Sequence, residues 1–210
     1  MPSGFNSVPR TRLVALLVAG VVFGVVTSLV NHGFGPAAHS VSKVLGSGSA
    51  WLVAGWCASL TGHGWRGAFR NGLSFLLPAV TSYYIADAAS GVYTSPSFDD
   101  PTGPVTFDLL SVVTDLGFYV VLALATSAVL GVVAALTQRA GLIGLLAAVA
   151  VPGFVAVTQL RLHQQLLALE FARDPAEISA TWWTGMAALL ATLAIVPARM
   201  LIDRRKNLWS

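Results

Sequence analysis

The stretch GLIGLLAAVAVPGFVAVTQLRLHQQLLALEF, residues 141–171, changes character in its middle. Up to Val157 it carries no charge, and then Gln159, Arg161, His163, Gln164, Gln165 and Glu170 arrive within twelve residues. An uncharged run of about twenty residues, rising about 1.5 Å each, matches a hydrocarbon layer of about 30 Å. The first part therefore reads as a membrane span. The second part is either the same helix leaving the lipid or a helix whose polar groups face protein and water, because lipid tolerates polar groups on neither face at that depth.

The rest of the chain repeats the apolar pattern. Of 210 residues 55% are apolar and 10% charged, and the mean hydropathy is +0.74, far from a soluble globule. Spans are expected at 13–30, 44–62, 67–86, 109–137, 141–160 and 181–202, all helical, since an open backbone in lipid would strand its polar groups. The fold class is therefore all-α: a polytopic membrane bundle of six transmembrane helices forming one domain over residues 1–210.

Charge gives the orientation. With the N-terminus cytoplasmic, nine of the twelve basic residues fall inside, and only Lys43, Arg161 and Arg173 outside. The acids go the other way, leaving +8 inside and −5 outside. This positive-inside bias places both termini in the cytoplasm and the proline- and aspartate-rich segment 87–108 outside. It also explains a pI near 9.4 without nucleic acid, since the basic residues form no binding face. Trp51, Tyr83, Tyr84, Trp182 and Trp183 fit an outer headgroup belt. Cys57 has no partner cysteine in the chain and reads as a small buried apolar residue.

GVVFGVVTSLVN from Gly20 aligns with SAVLGVVAALTQ from Ser127. The two spans would run in opposite directions, a weak 3+3 inverted repeat, although chance matching of Val/Leu/Gly-rich segments is the simpler account. The small-xxx-small spacings Gly20/Gly24 and Ser127/Gly131 mark helix contacts either way and put both spans inside the bundle. Pro78, Pro152 and Pro197 lie within spans, as ordinary kinks or as breaks at a site.

The candidate site residues are Asp87, Asp115, Arg161, His163 and Glu170. At 100° per residue Gln159, His163, Leu166 and Glu170 lie within about 40° of one another, with Arg161 opposite. A partly buried Arg161 needs an anion, and Asp115 at the outer end of the preceding span is the expected partner. His163 and Glu170, with Asp87 and Asp108, would then rim an acidic vestibule suited to a cation or proton transfer; a solvated rim is the plainer alternative. No HxxxH, HExxH or paired-cysteine spacing exists, so no metal is expected. GSGSA at 46–50 matches no phosphate loop, and Asp99–Asp100 lack the geometry of a shared Mg²⁺ site. No cofactor is implied.

FGVVTSLVN, LGSGSAWLVAGWCASLTG, SYYIAD and GVVAALTQRAGLIGLLAA resemble segments of a family of small, uncharacterised actinobacterial six-span membrane proteins. The resemblance implies the fold and a bacterial plasma membrane, and carries no activity. The family tends to hold a carboxylate where this chain has Gln159, which argues against a proton relay there. Three functions remain: binding or helping to translocate a small solute as a membrane subunit, with a partner membrane or ATPase subunit, the latter if transport is ATP-driven; an intramembrane enzyme on a lipid or isoprenoid, with Asp87 or Asp115 as general acid; and a scaffold subunit without a ligand. The lipid bilayer is the partner common to all three.

Overall fold

In a computed structural model, residues 10–33, 35–97, 100–169 and 174–207 are described. Seven helices are present among them: α1 (Arg10–Asn31), α2 (Pro36–Leu45), α3 (Gly48–Leu60), α4 (Gly64–Ala89), α5 (Leu109–Thr137), α6 (Gly141–Ala168) and α7 (Pro175–Asn207). The class is all-α, with one antiparallel hairpin between α4 and α5, β1 (Thr94–Ser97) with β2 (Asp100–Phe107). Among the described residues four helices are long and apolar enough to cross a membrane: α1, α5, α6 and the Pro175–Leu201 part of α7.

The expected span at 44–62 is not one helix. Gly46 closes α2, and Ser47 starts a new helix by accepting a hydrogen bond from the Ala50 amide at 3.3 Å, which is N-capping. The result is a helix of 13 residues, about 20 Å long. The helix α4 is long enough at 26 residues, but Arg66, Arg70 and Asn71 in its first turns lower its hydropathy. The three prolines sit inside continuous helices.

The helix packed most extensively is α4, with α1 along one side and α5 along another. The small residues explain how. A Cβ on Gly20 would overlap the Phe75 carbonyl, and one on Gly24 would overlap the Ala79 carbonyl, so α1 lies backbone-to-backbone on α4. On α5, a Cβ on Gly131 would come 2.9 Å from the Phe69 backbone. Both small-residue faces thus dock on α4, which is the interior helix in place of α1 and α5. The core between them holds Phe75, Leu76, Val80, Ala123 and Leu130. A second pair, α6 with α7, joins through α5, α3 and α2.

The two ends of the bundle are tied differently. At the end holding the start of α1, Arg12 donates to Thr61 O at 2.9 Å, Gln138 to Gly62 O at 2.6 Å and Asn71 to Thr61 Oγ1 at 2.8 Å. These bonds anchor the foot of α3. Its head therefore stops about 20 Å up the bundle, short of the level reached by α1, α4 and α5 at the hairpin end. Cys57 is exposed on α3 rather than buried, because the small residues Gly55, Ala58 and Ser59 form the packed face of the helix.

Candidate functional site

Above the head of α3 lies a cavity of about 320 Å³. It is walled by Thr27 and Asn31 of α1, Trp51 and Leu52 of α3, Leu76, Val80, Tyr83 and Tyr84 of α4, and Tyr119, Leu122, Ala123 and Thr126 of α5. The first turn of α3, at Gly48, Trp51 and Leu52, and the break at Gly46 form one side of this space. The aromatic rings interlock: Trp51 meets Tyr83 edge-on at 5.9 Å, Tyr83 meets Tyr84 at 5.2 Å, and Tyr84 meets Tyr119 at 5.5 Å. Three of them, Trp51, Tyr83 and Tyr84, are residues of the expected outer aromatic belt, and their rings line the cavity.

One turn further toward the hairpin end stand two carboxylates. Asp87 is 4% exposed, and its Oδ1 accepts from Ser28 Oγ at 2.5 Å and lies 3.1 Å from His32 Nε2. Serine and histidine both address the same carboxylate oxygen, and the histidine does not stand between them, so this trio ties α1 to α4 and lacks the geometry that activates a serine nucleophile. Asn31 completes the edge by donating to Tyr83 Oη at 3.1 Å. Asp115, one turn before Tyr119, accepts from Tyr93 Oη at 3.1 Å. Tyr93 is fixed by the base of the hairpin, where the Asp108 amide donates to Tyr93 O at 2.8 Å. Burial, the bond to Asp115, and the charges of Asp115 and Asp87 all raise the Tyr93 pKa, so its phenol stays protonated and keeps donating.

The residues on α6 do not join this site. Among the described residues no ion pair links Arg161 to Asp115, and Arg161 is exposed. The expected pair fails because α5 packs along α4 and α6 along α7. Its consecutive helices share a short link at the other end, and that does not bring Asp115 and Arg161 into contact. A double-mutant cycle on Asp115 and Arg161 should therefore give a coupling under about 0.5 kcal/mol. Asp115→Asn alone should cost about 1 kcal/mol by weakening the Tyr93 bond. A coupling above about 2 kcal/mol would restore the direct pair. His163 faces α7: its Nδ1 is 3.1 Å from Ile178 O, and its ring lies tilted against Trp182 with centroids 5.2 Å apart. Gln159 is buried and donates to Ser49 Oγ at 2.6 Å, tying α6 to α3. Glu170 and Asp99 lie outside the described residues. Asp108 caps α5 by accepting from Ser111 Oγ at 2.6 Å and the Ser111 amide at 3.0 Å, and these bonds lower its pKa.

A separate ionic clasp joins α2 to the start of α7. Lys43 Nζ lies 3.0 Å from Asp174 and 3.4 Å from Glu177, and His39 Nε2 lies 3.0 Å from Asp174. The Lys43 bond, foremost, holds the Asp174 carboxyl down at about 2, and the Asp174 bond leads in raising Lys43. A depressed carboxyl stabilises above its unfolded value of about 3.9 and loses that contribution as pH falls through the folded one. The raised lysine stabilises below about 10.4 and loses its contribution as pH rises beyond. A nitroxide on Ser40→Cys, with Cys57 replaced, should be immobile between pH 4 and 10 and loosen at about pH 2. Equal mobility throughout would exclude the clasp.

The residues the sequence left unconnected were Ser28, Asn31, His32 and Tyr93. A signal existed: Ser28, Asn31 and His32 are spaced i, i+3, i+4 on one face of α1, and Tyr83 and Asp87 are spaced i, i+4 on α4. Among the described residues no group of three or more His, Cys, Asp or Glu side chains is placed to hold a metal. No protein-family model, curated protein or solved structure matches the chain.

Proposed function

We propose that this chain is a six-span bacterial plasma-membrane protein that binds a small solute in the cavity above α3, for passage across the bilayer or delivery to a partner subunit. The observation that carries the reading is the cavity itself, an aromatic-walled space of about 320 Å³ beside the first turn of a short helix. Sites for small molecules are concave, mostly apolar and edged by a few polar groups, and a binding level inside a bundle beside a shortened helix is what a solute carrier needs. The sequence has no nucleotide-binding loop, so ATP-driven transport requires a separate ATPase subunit.

Six spans are supported by the length of α4 and by the direction of α3, whose head lies near Asn31 and whose foot is bonded to Arg12 and Gln138. The inverted repeat is not part of the proposal: α1 lies along α4, whereas α5 makes no comparable contact with α7. The charge asymmetry supports cytoplasmic termini, with the hairpin end outside. A reporter active only in the cytoplasm should therefore give signal when fused after Asn207 and none when inserted near Ser97; the reverse result would overturn the orientation.

The binding reading is tested by filling the cavity. Ala123 lines it and is 5% exposed, so Ala123→Phe should occupy it. Thermal unfolding in nanodiscs, run against a panel of small amphipathic compounds, should reveal compounds that raise the Tm of the wild type and not of the variant. A panel in which the two proteins respond alike to every compound would sink the reading.

A further inference from the structure

We infer that the cavity selects an organic monocation, a quaternary or protonated ammonium group on a compact apolar body. This deepens the binding reading above and rests on it. The first reason is the wall. Trp51, Tyr83, Tyr84 and Tyr119 line one space, and aromatic rings attract a cation held within about 6 Å of their centroids. The polar groups among them are hydroxyls, the Trp51 indole and the Asn31 amide, and among the described residues no basic side chain lines the cavity.

The second reason is the charge just outside the ring of aromatics. Asp115 is bonded to the Tyr93 hydroxyl and, among the described residues, to no cation. Asp87 has His32 as its basic neighbour. Arg161, expected to neutralise Asp115, is exposed elsewhere. Two carboxylates one turn from an apolar space make a field that draws in a positive solute, and low-dielectric walls focus it. A small, strongly hydrated metal cation would lose its water against mostly apolar walls without ligands to replace it. An organic cation with a diffuse charge loses less.

One feature favours an anion: the head of α3, including Gly48, faces the cavity, and helix N-termini attract negative charge. Ser47 already caps that helix, and the nearby carboxylates oppose an anion. The competing classes are therefore separated by direct comparison of three probes of similar size, benzyltrimethylammonium, benzyl alcohol and benzoate. Binding is read from Trp51 fluorescence in zwitterionic nanodiscs, with Trp56, Trp65, Trp182, Trp183 and Trp209 changed to Phe.

The expected result is saturable binding of benzyltrimethylammonium at least ten-fold tighter than of benzyl alcohol, with benzoate weakest. Raising the salt should weaken the cation and not the alcohol. Asp115→Asn should weaken the cation about five-fold and leave the alcohol unchanged, a difference that a general loss of structure would not produce. Benzyl alcohol or benzoate binding as tightly as the cation would overturn the cationic class while the cavity reading stands. No saturable signal from any probe, or signals unaltered by Ala123→Phe, would overturn both.

Discussion

Gly24→Leu will part α1 from α4 and cost about 3 kcal/mol, the upper range for overpacking a close contact. The obstruction is backbone: a Cβ at Gly24 would overlap the Ala79 carbonyl and the Ser82 hydroxyl, and that hydroxyl donates to Val21 O at 3.1 Å. A flexible side chain could swing aside, but the carbonyls of α4 cannot move without bending the helix. The two helices must separate, and the whole α1–α4 interface loses contact, including the side of the cavity formed by Thr27 and Asn31. Gly117 provides the control. Nothing lies within 4 Å of its added Cβ, so Gly117→Leu should change stability by less than about 0.5 kcal/mol. Denaturant unfolding in bicelles measures both, and similar costs for the two variants would show that the α1–α4 contact is not close.

The second large effect is expected at Asp87. Its carboxylate is the acceptor for Ser28, which is fully buried, and for His32, whose side chain is 38% exposed. Asp87→Ala removes the acceptor and leaves the Ser28 hydroxyl stranded, at a cost of about 3 kcal/mol, with His32 contributing little because water can reach it. Asp87→Asn keeps an acceptor in place and should cost about half as much. A Ser28→Ala, Asp87→Asn cycle should show a coupling of at least about 1 kcal/mol; additive effects would mean that the serine bond contributes nothing. Because Asp87 stands one turn from Tyr83, the same variants should also disturb the hairpin end of the cavity.

The sequence made parts of this arrangement legible and left others dark. The apolar runs marked where helices lie, and the end of the long loop at Asp108 marked the start of α5, because hydropathy and caps act through local neighbours. The break at Gly46–Ser47 was written in the residues, yet the apolar run across it read as one span. Hydropathy averages over a window, whereas a cap acts through a single hydrogen bond. Of the site residues, Asp87 and Asp115 stand one turn from the cavity-lining Tyr83 and Tyr119, Arg161 and His163 are on another helix, and Glu170 lies outside the described residues.

What the sequence by itself determined is an all-helical, apolar chain with several helices able to cross a membrane and small residues primed for close contact. Those properties belong to each segment alone, set by the hydrophobicity of its side chains and the hydrogen bonding of its own backbone. Only the tertiary structure decided that Gly20, Gly24 and Gly131 all dock on α4, that Tyr93 rather than Arg161 meets Asp115, and that Trp51, Tyr83 and Tyr84 line one shared space. A small residue permits close approach without naming the helix that approaches, and a helical face is apolar whether lipid, protein or a cavity lies against it. The choice comes from how the helices fit together, and here the cavity takes its walls from four of them, one a helix of only 13 residues.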